Sequence, residues 1–323
     1  MEPKGLIFDV KRDCSEDGPG IRTTIFFKGC PLDCSWCQNP ESKSRKLGLS
    51  FTERRCDTER CGLACTKVCS AGALREDQGK LVVDHNLCNR CDLCFTRCPT
   101  EAIEKSGYLI TVEELYSRVM IDEPFFRWTG GGVTLSGGEA TLQMEFIHYF
   151  LKNLKEAGIH TAMETCGQFP LSRFREMVLP YLDLIYFDMK FILDADSKLH
   201  TGIGNKRINA NLQSLAADCS AILMPRIPLI LDIIIISENL RGINEFFSEI
   251  GVDAGVLLPY NPLWENKPEK MGLPLTYSNE FMADEEVKKC HDEFAAGGTK
   301  SWTDHHANDI IKGLQEQKLN LAK

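Results

Sequence analysis

The sequence predicts an α/β fold with a parallel sheet and an inserted, cysteine-rich module. From Thr111 onward, strand-like and helix-like segments alternate along the chain, which is the pattern of repeated βα units. Eleven of the fifteen cysteines fall between Cys30 and Cys98, where this alternation is absent. The 323 residues suffice for one large domain or for a core domain with a smaller attachment. A parallel sheet of this kind, open or closed into a barrel, places active-site residues at the carboxyl ends of its strands.

The first part of the chain divides into two strands and the insert. The segments KGLIFDV and TTIFFKG are predicted strands, and the second runs directly into the first cysteines. From about Phe51 to Ser106 the chain is rich in cysteine, charged and small residues, which indicates a module folded around metal. The predicted divisions are the start of the core at 1–50, the insert at 51–106, the rest of the core at 107–299, and a polar tail with a terminal helix and no chemistry at 300–323.

The second part consists of alternating helices and strands. Helices are predicted near Thr111–Ile121, Leu142–Ala157, Leu171–Leu179, Ile208–Ala217 and Leu240–Ile250. Strands are predicted at Val133–Ser136, Thr161–Glu164, LDLIYFDMKF, AILMPRI and AGVLLPY. In the second helix, Leu142, Phe146, Phe150 and Leu154 recur at helical spacing, so one face of this helix should be buried.

Charge and hydropathy exclude two classes of partner and indicate a compartment. The chain has 46 acidic and 37 basic residues, and a net charge of −9 argues against a broad nucleic-acid or anionic-membrane surface. The most apolar stretch, 222–236, is interrupted by prolines and charges and is too short for a membrane helix. The N-terminus has no apolar stretch long enough for a signal peptide, which predicts a reducing cytoplasm where disulfides are rare. Metal ligation is therefore the leading interpretation of the clustered thiols.

The first cysteine group has the spacing C-x3-C-x2-C. In KGCPLDCSWCQNP, Cys30, Cys34 and Cys37 offer three thiolates on one short loop. Four-iron clusters usually take four protein thiolates, so three would leave one iron open to an outside ligand. The alternative is a zinc site completed by Cys14 or by a histidine.

With the preceding DGPGIRTTIFFKGC, this loop resembles that of the radical S-adenosylmethionine superfamily, and within it the activating enzymes of glycyl radical enzymes. The resemblance implies a partial (β/α)6 barrel in which the three cysteines hold a catalytic [4Fe-4S] cluster. It implies that this cluster binds S-adenosylmethionine, which is cleaved to methionine and a 5′-deoxyadenosyl radical. That radical would take hydrogen from a backbone glycine of a partner glycyl radical enzyme. An electron donor such as flavodoxin or ferredoxin is implied as a second partner.

The same resemblance implies a set of residues around S-adenosylmethionine. These residues follow the cysteine motif, the segments VTLSGGEATLQ, METCG, YFDMK and AILMPRI, and the late LLPYN. They are Trp36, Cys37, Gln38, Gly137, Gly138, Glu139, Glu164, Thr165, Asp188, Met189, Lys190, Phe191, Arg226 and Asn261. Asn261 stands where the family usually has a histidine. The acidic residues and Lys190 are expected near the methionine carboxylate, directly or through a monovalent cation, and a structural salt bridge is the alternative.

The insert carries two further sets of cysteines. LCNRCDLCFTRCP places Cys88, Cys91, Cys94 and Cys98 in the bacterial ferredoxin spacing. The earlier set consists of Cys56, Cys61, Cys65 and Cys69. Together they resemble a two-cluster ferredoxin, whose swapped ligation would join Cys98 to Cys56, Cys61 and Cys65, and Cys69 to Cys88, Cys91 and Cys94. The prediction is three [4Fe-4S] clusters, with two zinc sites in the insert as the alternative. The insert clusters could relay electrons, or the insert could present a docking surface.

Two other functions are consistent with part of the sequence. One is a radical S-adenosylmethionine enzyme that acts on a small molecule or a protein side chain, similar to sulfatase-maturing enzymes, and the DGPGIR segment argues against it. The other is an electron carrier, which would not cleave S-adenosylmethionine when reduced. The remaining cysteines are expected to be ordinary thiols, and the paired histidines to be surface residues. These residues are Cys14, Cys166, Cys219, Cys290, His305 and His306.

Overall fold

A nine-stranded sheet forms the centre of the protein in the computed structural model, which describes residues 3–303, 307–311 and 313. The strands of the described residues are β1 (Lys4–Cys14), β2 (Arg22–Phe27), β3 (Leu49–Phe51), β4 (Leu74–Asp77), β5 (Lys80–Val83), β6 (Ile103–Lys105), β7 (Tyr108–Thr111), β8 (Gly132–Gly137), β9 (His160–Thr165), β10 (Leu184–Asp188), β11 (Ile222–Leu229), β12 (Ala254–Pro259) and β13 (Lys300–Trp302). The large sheet has the order β13-β12-β11-β10-β9-β8-β2-β1-β7.

The predicted partial (β/α)6 barrel is confirmed in its central strands. Strands β2 and β8 to β12 are parallel neighbours, so their carboxyl ends share one edge of the sheet. Strand β1 pairs antiparallel with β2 and with β7, which extends this side of the sheet beyond the parallel strands. The three-residue β13 adds a parallel strand beside β12. It lies in the segment predicted as a helical tail, and three residues are too few to show a strand pattern in sequence.

The α-helices of the described residues are α1 (Thr58–Cys61), α2 (Ala64–Val68), α3 (Val112–Met120), α4 (Glu123–Thr129), α5 (Met144–Glu156), α6 (Leu171–Met177), α7 (Asp194–Thr201), α8 (Lys206–Asp218), α9 (Ser237–Glu249), α10 (Lys267–Lys270) and α11 (Asp284–Ala296). Helices α3 to α6, α8, α9 and α11 contribute side chains to the apolar core on one face of the sheet, whereas α1 and α2 belong to the insert. In α5, Phe146, Phe150 and Leu154 are buried, as predicted, whereas Leu142 lies in the 3-10 turn before the helix. These side chains join the outward-facing strand residues in the main apolar core.

The opposite face of the sheet is called the inner face here. It carries a second apolar group, which includes Ala162 on β9, Tyr186 on β10, Met224 on β11 and Val256 on β12. Residues 307–311 are helical and pack against this group. The paired histidines, His305 and His306, lie outside the described residues.

The insert has a core of its own. Strands β3 and β6 pair antiparallel, and so do β4 and β5. Helices α1 and α2 lie between β3 and β4 in the sequence. The buried aliphatic side chains of this core are Leu49, Leu63, Leu74, Leu81 and Ile103. This small cluster is separate from the main core and also contains several of the cysteines.

A buried lysine links the insert to the barrel. Lys28, directly after β2, is 2 % exposed, and its ammonium donates to Ser106 Oγ at 3.1 Å and to the carbonyl oxygen of Glu41. Burial lowers the pKa of Lys28 to about 8. The end of the insert is thereby fixed against the loop that follows β2. No helix in the described part of the chain is long and apolar enough to span a membrane.

Candidate active site and cluster-binding module

The three cysteines of the first motif lie on the loop after β2, called the catalytic loop here (28–43). The N–H of Gly29 donates to the carbonyl oxygen of Ser42 at 2.6 Å, which closes the base of the loop. Burial, together with the charge of Cys30, raises the pKa of Cys34 to about 12 and that of Cys37 to about 11. Three thiols are thus gathered in one buried place, and they would be deprotonated on binding iron.

Two glycines allow the end of β8 to lie directly against the catalytic loop. Gly137 has φ +100°, and a Cβ there would stand 2.4 Å from the backbone nitrogen of Phe27. A Cβ on Gly138 would stand 2.3 Å from the carbonyl oxygen of Gly29. Their position at the carboxyl end of a strand leaves backbone groups close to the thiols, because no side chain intervenes.

Both carboxylate oxygens of Glu139 accept hydrogen bonds from protein groups. Glu139 is fully buried, and it accepts from Thr141 Oγ1 at 2.6 Å, Thr165 Oγ1 at 2.9 Å and the N–H of Cys166 at 2.8 Å. Its own N–H donates to the carbonyl oxygen of Gly29 at 2.8 Å. The side chain therefore joins the catalytic loop to the end of β9, and any contact of Glu139 with a ligand would have to come from its backbone.

Four charged side chains meet where β9 and β10 end, beside the middle of β11. Arg226 donates to Glu164 at 2.8 Å and to Asp188 at 3.2 Å, and Lys190 donates to Asp188 at 3.1 Å. The side chain of Arg226 is only 9 % exposed. Ser136, on β8, also donates to Glu164. The four charged residues, called the charge cluster here, were predicted from three separate segments, and the parallel sheet brings them together.

The charge cluster and the thiols influence one another. Burial opposes ionisation of Asp188, but Lys190 and Arg226 hold the pKa of Asp188 below its usual range. Burial raises the pKa of Glu164 against the opposing charge of Arg226. Burial lowers the pKa of Lys190, but Asp188 and the sulfur of Cys34 outweigh it and raise that pKa above its ordinary value. The ammonium of Lys190 therefore lies beside both a carboxylate and the thiols.

The remaining predicted residues divide between the core and the surface. The rings of Trp36 and Phe191 pack edge to face with centroids 6.0 Å apart beside the catalytic loop. Met189 is fully buried, and its N–H donates to the carbonyl oxygen of Arg226, so only its carbonyl group is left for a ligand. Gln38 and Asn261 are exposed, and the side chain of Asn261 accepts from the N–H of Leu263 at 2.9 Å.

Gln38 and Asn261 line one open cleft of about 670 Å³ between the barrel and the insert. Its walls come from β1, β2, the catalytic loop, the end of the insert and the segment after β12. The lining side chains with charge are Asp9, Lys11, Glu41, Glu104, Lys105 and Lys267. The cleft opens to solvent beside the catalytic loop.

Three further residues contact the catalytic loop and were not predicted as site residues from the sequence. Cys166, expected to be an ordinary thiol, lies beside Cys30, and its hydrogen bond lowers the pKa of Cys30. Lys267 donates to the carbonyl oxygen of Gln38 at 2.9 Å, and Thr276 donates to that of Ser35 at 2.7 Å. Cys166 directly follows Glu164 and Thr165 at a predicted strand end, and this position could have identified it as a site residue. Nothing in sequence indicates the other two, because they lie more than 220 residues away from their partners.

The eight cysteines of the insert form two groups. Burial raises the pKa of Cys65 to about 11, with further contributions from Cys61, Cys98 and Cys56. Burial raises the pKa of Cys94 to about 11, with contributions from Cys88, Cys91 and Cys69. Each group thus contains one cysteine from the other half of the insert, as swapped ferredoxin ligation requires.

The second group also encloses a small cavity. Cys69, Cys88, Cys91 and Cys94 line it together with apolar side chains such as Leu49 and Leu74. A cavity walled by four thiols fits a cluster better than it fits packed side chains. Within the described ranges, no three or more His, Cys, Asp or Glu side chains are arranged to hold a single metal ion, whereas the thiolates of a four-iron cluster bind different irons.

We expect anaerobic analysis to find about twelve irons and about twelve sulfides per chain, four of each for every thiol group. Iron and sulfide assays with parallel zinc determination measure this directly. About four irons with stoichiometric zinc would instead mean that the insert binds zinc and that only the catalytic loop holds a cluster.

Comparison with known proteins agrees with this arrangement. Residues 16–61 match a family described as "4Fe-4S single cluster domain", and residues 81–104 match a "4Fe-4S binding domain". The isethionate sulfite-lyase activating enzyme of Nitratidesulfovibrio vulgaris is 37% identical over 268 residues, which cover 81% of this chain and 86% of that protein. The 4-hydroxyphenylacetate decarboxylase activating enzyme of Clostridioides difficile is 34% identical over 307 residues, covering 94% and 96%.

A third similar protein is named for yet another target enzyme. The (2S)-3-sulfopropanediol dehydratase activating enzyme of Klebsiella oxytoca is 34% identical over 284 residues, covering 86% of this chain and 89% of its own. These relatives cover between 81% and 94% of this chain, and all three are named as activating enzymes of different target enzymes. This chain therefore belongs to the radical S-adenosylmethionine family of glycyl radical enzyme activating enzymes.

Proposed function

We propose that this protein activates one cognate glycyl radical enzyme, with S-adenosylmethionine held across the ends of β2 and of β8 to β11. The observation that carries the proposal is that Asp188 and Lys190 of the charge cluster line one cavity with Leu32 of the catalytic loop, where the Lys190 charge acts on Cys30 and Cys34. When bound, the cluster supplies one electron to S-adenosylmethionine, which divides into methionine and the radical that takes hydrogen from the partner's glycine.

The chain's own residues would bind and orient S-adenosylmethionine. Lys190 and Arg226 would attract the methionine carboxylate, directly or through a monovalent cation held by Asp188. The backbone at Gly137 and Gly138 would accept the amino group. Trp36, held by Phe191, offers an aromatic wall for the adenine.

The cleft beside the catalytic loop is the proposed entrance for the partner's glycine. It is open and polar, and it reaches Gln38, the residue after the third cysteine. One wall belongs to the insert, so a partner segment in the cleft would contact both parts of the chain. Complementary contacts along such a wall select one partner over its relatives.

The proposed electron donor is a small reduced protein such as flavodoxin or ferredoxin. Cys91 is exposed while the other cysteines of its group are more buried, which would let a donor approach that cluster closely. The insert would then pass electrons toward the catalytic loop. The need for reduced clusters fits a cytoplasmic location.

The test is to mix the reduced protein with S-adenosylmethionine and with each of several candidate glycyl radical enzymes. We expect one candidate to acquire a glycine-centred electron paramagnetic resonance signal, with deoxyadenosine formed in proportion. A short peptide that holds only the glycine segment should react poorly, because it lacks the contacts of the folded partner. Abundant deoxyadenosine with no glycine signal from any candidate would favour a small-molecule substrate instead.

A further inference from the structure

The segment after β13 occupies the inner face of the barrel. Ala307 and Ile311 are 1 % and 0 % exposed, and they pack with Ala162, Tyr186 and Met224. Burial of this degree is not that of a loosely attached tail. Because residues 300–323 are mostly polar, they were predicted to form a terminal helix without a role in the chemistry.

A hydrogen bond connects this segment to the middle of the sheet. The hydroxyl of Tyr186 donates to Asn308 Oδ1 at 2.7 Å. Tyr186 is 1 % exposed, and a tyrosine hydroxyl at such a depth requires a partner. Asn308 Nδ2 makes a longer contact, 3.5 Å, with the carbonyl oxygen of Ser15 before β2. Asn308 therefore lies between the inner face and the loop that leads into β2.

The ring of Tyr186 in turn supports the charge cluster. The guanidinium carbon of Arg226 lies 4.6 Å from the centroid of that ring, which is a cation–π contact. From this position Arg226 reaches Glu164 and Asp188. The contacts form a continuous path from Asn308 through Tyr186 to Arg226, within side chains that have little freedom to rearrange.

We propose that Asn308 is a positioning residue for S-adenosylmethionine binding. It fixes the Tyr186 hydroxyl, the fixed ring holds Arg226 in place, and Arg226 orients the two carboxylates. Without the acceptor at Asn308 this hydrogen bond is lost, and the ring is held less firmly beneath the guanidinium. The proposal rests on the proposed function, which places the charge cluster at the S-adenosylmethionine site.

The test compares Asn308→Ala with Asp309→Ala in the full-length, cluster-loaded protein. Asp309 is the exposed neighbour on the same segment and serves as the matched control. For Asn308→Ala we expect the Kd for S-adenosylmethionine to rise about fivefold, the factor that corresponds to the loss of ~1 kcal/mol. The KM should rise by a similar factor while kcat changes less than twofold, and Asp309→Ala should match the wild type.

Tyr186→Phe removes the other half of the hydrogen bond and keeps the ring. It should weaken S-adenosylmethionine binding to the same extent, and the double variant should be no weaker than either single one. A lowered Tm for Asn308→Ala with an unchanged Kd would make the contact purely structural and overturn the inference. Additive losses in the double variant would also overturn it. If the wild type fails to cleave S-adenosylmethionine, the proposed function itself falls, and that result is distinct from either of these.

Discussion

Replacement of Cys34 by alanine is expected to abolish S-adenosylmethionine cleavage and to lower the iron content from about twelve to about eight per chain. Cys34 is 8 % exposed and lies on the catalytic loop, remote in sequence from the insert cysteines. Its loss leaves two thiols on this loop, too few to retain a four-iron cluster, while the insert keeps all eight of its own. Deoxyadenosine yield with dithionite and the iron content of the purified protein measure the two effects separately.

Cys91→Ala is the matched control for this experiment. Cys91 belongs to the second thiol group of the insert, so its loss should disturb an auxiliary cluster. Cleavage driven by an artificial reductant should persist, because such a reductant can reach the catalytic loop without the insert. If Cys91→Ala stops cleavage as completely as Cys34→Ala, the division between catalytic and auxiliary clusters is wrong.

Arg226→Met is expected to destabilise the protein by about 3 kcal/mol and to prevent S-adenosylmethionine binding. The substitution leaves Glu164 and Asp188 in their partly buried positions, and the remaining cation of the charge cluster, Lys190, is paired with Asp188. Buried charges that lose a partner are costly because water cannot replace it. In a chain of 323 residues the loss corresponds to a fall in Tm of about 4 °C.

Arg175→Met provides the control for Arg226→Met. Arg175 pairs with Asp218 at 2.5 Å, but that carboxylate is 64% exposed. Exposed pairs contribute about 0–1 kcal/mol, so the control should lower the Tm only slightly and leave S-adenosylmethionine binding intact. Equal losses of Tm in the two variants would show that the charge cluster is no more important to the fold than a surface ion pair.

The parallel arrangement of strands β8 to β12 was predictable because apolar strand-like runs alternate with helical segments along this part of the chain. The antiparallel pairing of β1 was not predictable, since the apolar pattern of KGLIFDV is the same for a parallel and for an antiparallel strand. Helix α4 also escaped prediction: EPFFRWT is short, and Phe125 and Trp128 face solvent rather than the core. Amphipathic periodicity cannot identify a helix whose apolar residues are exposed.

The candidate site was predictable to the extent that its residues follow strands. Glu164, Asp188 and Arg226 meet because parallel strands end at the same edge, a consequence of topology that a sequence pattern can carry. The role of the Glu139 side chain could not be predicted, since its partners are two hydroxyls and two backbone N–H groups supplied by the folded chain. The same reason kept Asn308 out of the sequence analysis, because its meaning depends on a single tyrosine hydroxyl across the sheet.

The pairing of β3 with β6 also bears on how such a chain could be lengthened or shortened. The insert leaves the barrel at Gly48 and returns at Ser106, and the N–H of Ser106 donates to the carbonyl oxygen of Gly48 at 2.9 Å. Because the two ends already touch, a tight turn could replace the whole excursion without moving the barrel strands, and closing such a short loop costs little entropy. A cluster-binding segment can therefore be inserted or deleted at this point during evolution. Its two ends are joined by one backbone hydrogen bond, so the strand pairing of the barrel does not change.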